Sequence, residues 1–160
     1  MYFRCFENLS LFFSIFLITS SVFYSCPAKA QARAIKLKCE HLSAPLGMDE
    51  ASPRLSWKID DPRKGAAQSA YIVFVSKDAT DLTDGPGVVW NSGKVNSSAS
   101  LITYGGRTLE PFTRYYWKVR IWNKNGVGMK DSKPAYFETG MIDPGNWEGS
   151  WIDDGGSIDK

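Results

Sequence analysis

The side chains able to do chemistry in this 160-residue sequence come in small sets. Three pairs of acids are adjacent: Asp49-Glu50, Asp60-Asp61 and Asp153-Asp154. General acid–base work needs two carboxyl groups converging on one substrate. Neighbours in an extended chain point to opposite faces instead, and Asp60-Asp61 runs straight into the turn Pro62-Arg63-Lys64-Gly65. All three pairs read as solvated turn acids. Cys39, Glu40 and His41 are mixed metal-ligating types, but they lack a fourth ligand and zinc spacing. His41 is the single histidine, so no Ser-His-Asp set can be assembled. Gly85, Gly87, Gly105 and Gly106 form no phosphate cradle. The sequence therefore offers no catalytic residue, no cofactor-binding residue and no metal ligand. What is left is aromatic. Trp90, Trp122, Trp147 and Trp151 are of the type that stacks on sugar rings; the plainer expectation is that Trp122 covers a sheet face while Trp147 and Trp151 pack against a following domain.

The element on which everything else is hung is Leu109 to Trp122, LEPFTRYYWKVRIW. Tyr115, Trp117, Val119 and Ile121 fall on one side of an extended strand, and Tyr116, Lys118, Arg120 and Trp122 on the other. One face is bulky and apolar; the other sets two cations between aromatic rings. Upstream, Leu109, Pro111, Thr113 and Tyr115 are spaced two apart as L-x-P-x-T-x-Y. That spacing resembles the crossing between sheets in fibronectin type III and immunoglobulin-like sandwiches, where a tyrosine hydroxyl bonds back to the crossing backbone.

The remaining apolar runs fit the same architecture. Ile35 to Leu42 alternates, with Ile35, Leu37 and Cys39 expected on one side. Arg54 to Ile59 places Leu55, Trp57 and Ile59 together, Trp57 where such sandwiches bury a tryptophan between the sheets. Ala70 to Ser76 is a short, nearly continuous apolar run suited to a central strand. Val88 to Trp90, Ser100 to Tyr104 and Ala135 to Thr139 complete about seven strands, with turn signals at roughly ten-residue intervals. No stretch after Ala30 keeps a helical period. The expected fold is all-β, a two-layer antiparallel sandwich over 31–140, with a closed barrel as the alternative architecture.

Before and after this module the character changes. Arg4, the uncharged run Leu9 to Ser25, and the small-x-small site Ala28-Lys29-Ala30 together read as a secretory signal over 1–30. An uncleaved anchor is the other reading, although the run is at the short end for spanning a bilayer. Cys26 after Ser25 leaves open a lipid-anchored form on an outer membrane, which Phe23 and Tyr24 fit poorly. Cleavage after Ala30 removes Cys5 and Cys26 and leaves Cys39 alone, so stability must come from packing rather than a disulfide. Charge is nearly balanced, with 19 basic against 17 acidic residues; no basic stripe marks a nucleic-acid binder, and none is expected as a partner. No membrane contact is expected once the signal is gone. Residues 141–160 read as a linker and the start of a following domain.

Several phrases together resemble the amino-terminal region of bacterial α-L-rhamnosidases, glycoside hydrolase family 78. They are CEHLSAPLGMD, SPRLSW, QSAYIVFVS, VVWNSGKVNSSAS, YGGRTLEPFTRYYWKVRIWNKNG, FETG and WEGSWI, in that order. The resemblance implies a fibronectin III-like sandwich ahead of further β-domains and an (α/α)-barrel that hydrolyses terminal α-L-rhamnose with inversion. Such chemistry uses two carboxyl groups roughly 6.5–9.5 Å apart, and no position here matches the motifs that hold them. The resemblance thus implies a non-catalytic, exported module, a truncated or split gene product that serves as spacer and docking surface. Its partners would be the following domains and a rhamnose-containing glycan. The other class of function is a self-standing carbohydrate-binding or adhesion module.

Overall fold

The computed structural model describes residues 32–83, 85–143, 145, 148 and 149. The signal over 1–30 with Cys26 and Ala30, the pair Asp153-Asp154, and Trp147 and Trp151 all lie outside the described residues. Seven strands form two antiparallel sheets. In the first, β1 (Arg33–Cys39), β2 (Arg54–Asp60) and β5 (Leu101–Thr103) lie in the order β1-β2-β5. The second holds β3 (Gln68–Ser76), β4 (Val88–Asn91), β6 (Arg114–Asn123) and β7 (Ala135–Glu138) in the order β4-β3-β6-β7. Among the described residues there is no α-helix. This is the two-layer sandwich the alternation predicts; the strands open into two sheets rather than closing on themselves.

The core lies where the two inner faces meet. Tyr115, Trp117, Val119 and Ile121 of β6 are at most 1% exposed, so the period-two pattern of this strand is carried fully into burial. Leu55 and Trp57 of β2, Val73 and Val75 of β3, and Phe137 of β7 complete the centre. Each side chain of this size contributes about 1.5–3 kcal/mol when removed from water. Polar atoms inside are paired. Trp57 Nε1 donates to Gln68 Oε1 at 2.9 Å, and Gln68 Nε2 donates to the carbonyls of Ser97 (3.2 Å) and Ala99 (2.8 Å). That places the buried tryptophan between the sheets, as expected.

β1 departs from the simple alternation. Its pairing with β2 slips between Ile35 and Lys38, where Lys36 adopts φ +51°. An extra residue in one strand reverses the facing of what precedes it. Ala34 is therefore buried before the bulge and Cys39 after it, while Ile35 is only half-buried. The expectation that Ile35, Leu37 and Cys39 share one side holds for Leu37 and Cys39; the bulge exchanges Ile35 for Ala34.

The crossing into β6 is clamped at one residue. The Tyr115 hydroxyl accepts the backbone N–H of Glu110 at 2.8 Å. Thr139 Oγ1 donates to the Glu110 carbonyl at 2.6 Å and accepts the Thr113 N–H at 2.9 Å. Both backbone groups of residue 110 are thus held by buried side chains from β6 and the end of β7. At the end of β7, residues 138–140 run between two other segments. Glu138 N–H donates to Pro45 O and Met48 N–H to Glu138 O, each at 2.9 Å, and on the other side Phe112 N–H donates to Gly140 O at 2.9 Å.

Candidate functional site

Each conspicuous polar group can be followed to its partner. Asp61 accepts the Arg63 Nε at 2.8 Å and the Arg63 N–H at 3.0 Å; the Arg63 guanidinium holds its carboxyl below the usual carboxylate range. Asp60 is exposed at the end of β2. Asp49 Oδ1 accepts the N–H groups of Met141 and Ile142 (3.1 and 3.4 Å), and Glu50 caps Ser52 N–H at 3.1 Å. Asp61 and Glu50 hold turns, and Asp49 holds the exiting chain. The Cys39, Glu40, His41 trio separates: the Cys39 thiol is buried against Met48 Sδ at 3.7 Å, and burial, then the charge of Glu40, pushes it up to about 12. Glu40 is taken by Arg54 (Nη2 to Oε2, 2.7 Å), and His41 stands exposed. Among the described residues no three His, Cys, Asp or Glu side chains converge.

The motifs that looked most informative have their side chains engaged with the backbone. In WNSGKV, Asn91 Oδ1 accepts the Gly93 N–H at 2.9 Å, and Ser92 Oγ accepts Val73 N–H and donates to Gly93 O, both at 2.9 Å. Gly93 takes φ +63°, where a side chain would be strained. Val95 then resumes pairing, exchanging N–H and C=O with Tyr71 at 2.8 and 2.9 Å. The segment interrupts an edge strand and rejoins it, with Ser92 standing in for a backbone partner. In YGG, Gly106 lies so close to Trp90 and the Tyr104 hydroxyl that a Cβ would overlap both. Tyr104 donates to Arg107 O at 2.8 Å and meets Trp90 edge-on at 5.1 Å. Burial pushes the Tyr104 phenol up to about 12.

The two tryptophans singled out within the described residues are covered rather than open. Trp90 is half-buried against Tyr104, and Trp122 is half-buried with the Lys94 ammonium 4.6 Å from its ring centre. Trp122 shares the outer face of β6 with a charge cluster. Asp131 accepts Arg120 Nε at 2.5 Å and Lys118 Nζ at 3.0 Å. Burial raises the Asp131 carboxyl, but the hydrogen bonds from Arg120 and Lys118 outweigh it and leave the group below its ordinary value. Sequence reading saw the two cations on this face and missed Asp131, which lies in an irregular segment with no periodicity to place it.

The opposite sheet bears a groove of about 560 Å³ on its outer face. Lys36, Lys38, His41, Ser56, Lys58 and Leu101 line it. Among the described residues the three lysines make no ion pair. Trp57 and Ser100 also border it, with Trp57 buried; no carboxylate lies among these residues, so the groove cannot pair an acid with a base.

Against known proteins, residues 34–143 match the family described as the Rha78A-like, N-terminal immunoglobulin domain. An α-L-rhamnosidase of Streptomyces avermitilis is 43% identical over 114 residues, 71% of this chain but 11% of that protein. One from Formosa agariphila is 36% identical over 148 residues, covering 89% of this chain and 15% of its own length. The structure of α-L-rhamnosidase from Dictyoglumus thermophilum superposes with a TM-score of 0.71 at 41% identity, over 75% of this chain and 14% of that one. The chain spans between 11% and 15% of the length of these curated relatives.

Proposed function

Because the chain belongs to the family of Rha78A-like N-terminal immunoglobulin domains, we propose that it is the non-catalytic amino-terminal module of an exported α-L-rhamnosidase. The parent would be a family 78 glycoside hydrolase releasing terminal α-L-rhamnose from glycans. The module acts as spacer and docking unit for the domains that carry catalysis. The observation that carries this reading is the use of its motifs: Asn91, Ser92, Gly93, Gly106 and Thr139 are all committed to the module's own backbone and packing. None of them lines the groove on the outer face of the β1-β2-β5 sheet. The charged start, apolar run and Ala28-Lys29-Ala30 support export.

A domain exchange tests it. Residues 32–142 replace the N-terminal immunoglobulin domain of the Streptomyces avermitilis enzyme. The expected chimera hydrolyses p-nitrophenyl α-L-rhamnoside and shows no unfolding transition beyond those of the unaltered enzyme. An added transition from the exchanged module unfolding independently would contradict the reading.

A further inference from the structure

Leu46 and Phe112 are the most exposed large apolar side chains among the described residues, at 65% and 75%. Both stand at the pole where the chain leaves the sandwich. The segments 45–48 and 112–113 flank residues 138–140 on either side, which sets their backbones about 10 Å apart, two strand spacings. Phe112 sits at φ +50°. That conformation suits Gly or Asn and is costly for a bulky residue, yet here it presents an aromatic ring to solvent. The departing chain is fixed as well. Asp49 holds the N–H groups of Met141 and Ile142, and Ile142 rests partly buried against the central cluster. Gly140 has no room for a Cβ against Asp49 and the Gly47 carbonyl. The exiting chain is therefore held against the module as far as Ile142.

We propose that the Leu46–Phe112 pole is the docking face for an apolar surface of the domain that follows in the same polypeptide, with Phe112 as its anchor. The proposal rests on the parent reading above and adds the surface through which it works. Three observations favour this occupant. The patch adjoins the exit, the relatives are several times longer than this chain, and the exit is anchored beside it as far as Ile142. Two strongly exposed apolar side chains on segments two strand spacings apart suit an interaction site, and Phe is among the residues enriched at interfaces.

The test uses the chimera described above in three forms: unchanged, Phe112→Asn with Leu46→Asn, and Val127→Asn. Asn tolerates the left-handed backbone, so the ring is lost without new strain. Val127 is 59% exposed in the turn between β6 and β7, away from the exit, and serves as control. The double variant is expected to add an unfolding transition and to raise proteolysis between the domains by about tenfold, as an opened junction becomes populated. The same double substitution in the 160-residue chain alone should not lower its unfolding midpoint, and relief of the Phe112 backbone strain should raise it. An intact chimera indifferent to the double substitution, or equally sensitive to Val127→Asn, overturns the choice of face. Self-association of the 160-residue chain that Phe112→Asn abolishes also overturns it, since a second copy would then be the occupant. An unchanged chimera that already comes apart overturns the parent reading instead.

Discussion

Removing one oxygen from Tyr115 is the sharpest probe of how the two sheets are joined. The ring is fully buried, and its hydroxyl accepts the Glu110 N–H at 2.8 Å. Tyr115→Phe keeps the ring stacked on Phe137, 5.5 Å between centres, and leaves that N–H without its partner. An orphaned buried donor costs about 1–3 kcal/mol. For a domain of this size, roughly 4 °C of melting temperature is lost per kcal/mol, so a 2 kcal/mol cost gives a fall of about 8 °C. Thr139→Val, which removes the hydroxyl bonded to Glu110 O and Thr113 N–H, should cost a similar amount. The two are not independent. The Glu110 side chain is exposed, so once one clamp is released the crossing can swing outward and rehydrate the other group. The double variant should therefore lose at least about 0.5 kcal/mol less than the two singles together. Urea unfolding of the four proteins, followed by tryptophan fluorescence, measures this. A Tyr115→Phe cost under about 0.5 kcal/mol, or strict additivity, would refute the clamp.

Gly106→Ala should destabilise by about 1–3 kcal/mol, because its Cβ overlaps Trp90 and the Tyr104 hydroxyl; unfolding of this variant beside Gly93→Ala, where open space leaves only backbone strain, separates crowding from φ. Asp131 is held ionised below its ordinary value of 3.8. The stability it contributes is present above that value and is lost as pH falls below it. Stability followed from pH 6 to pH 2 should drop less steeply in Asp131→Asn, and that variant should be weaker by only about 0.5 kcal/mol at neutral pH, since Arg120 is well exposed. Because Trp90 and Trp122 are covered by Tyr104 and Lys94, millimolar L-rhamnose should leave tryptophan fluorescence and indole NMR shifts unmoved; a saturating change would favour a glycan-binding module.

The parts of this molecule legible from its sequence are those written in local periodicity. Tyr115, Trp117, Val119 and Ile121 alternate without interruption, so their burial could be read directly. The spacing from Leu109 to Tyr115 announced the hydroxyl that holds the crossing. The bulge at Lys36 was not legible, because nothing in the residue type marks a lysine for φ +51°. Nor was the role of WNSGKV, where Ser92 reaches Val73 on a neighbouring strand. The pole formed by Leu46, Phe112 and Gly140 comes from three stretches distant in sequence, and only the sandwich brings them side by side. Glu50 and Asp61 were legible as turn residues, whereas Asp49 holds the exiting chain rather than its own loop.

The most direct measurement of what this chain does is the rate at which it alone releases p-nitrophenol from p-nitrophenyl α-L-rhamnoside. With Asp49 committed to the exiting chain and Asp61 to a turn, the purified 160-residue protein should match the buffer blank. Turnover above that blank, abolished by substituting Asp49, Asp60 or Asp61, would contradict the account.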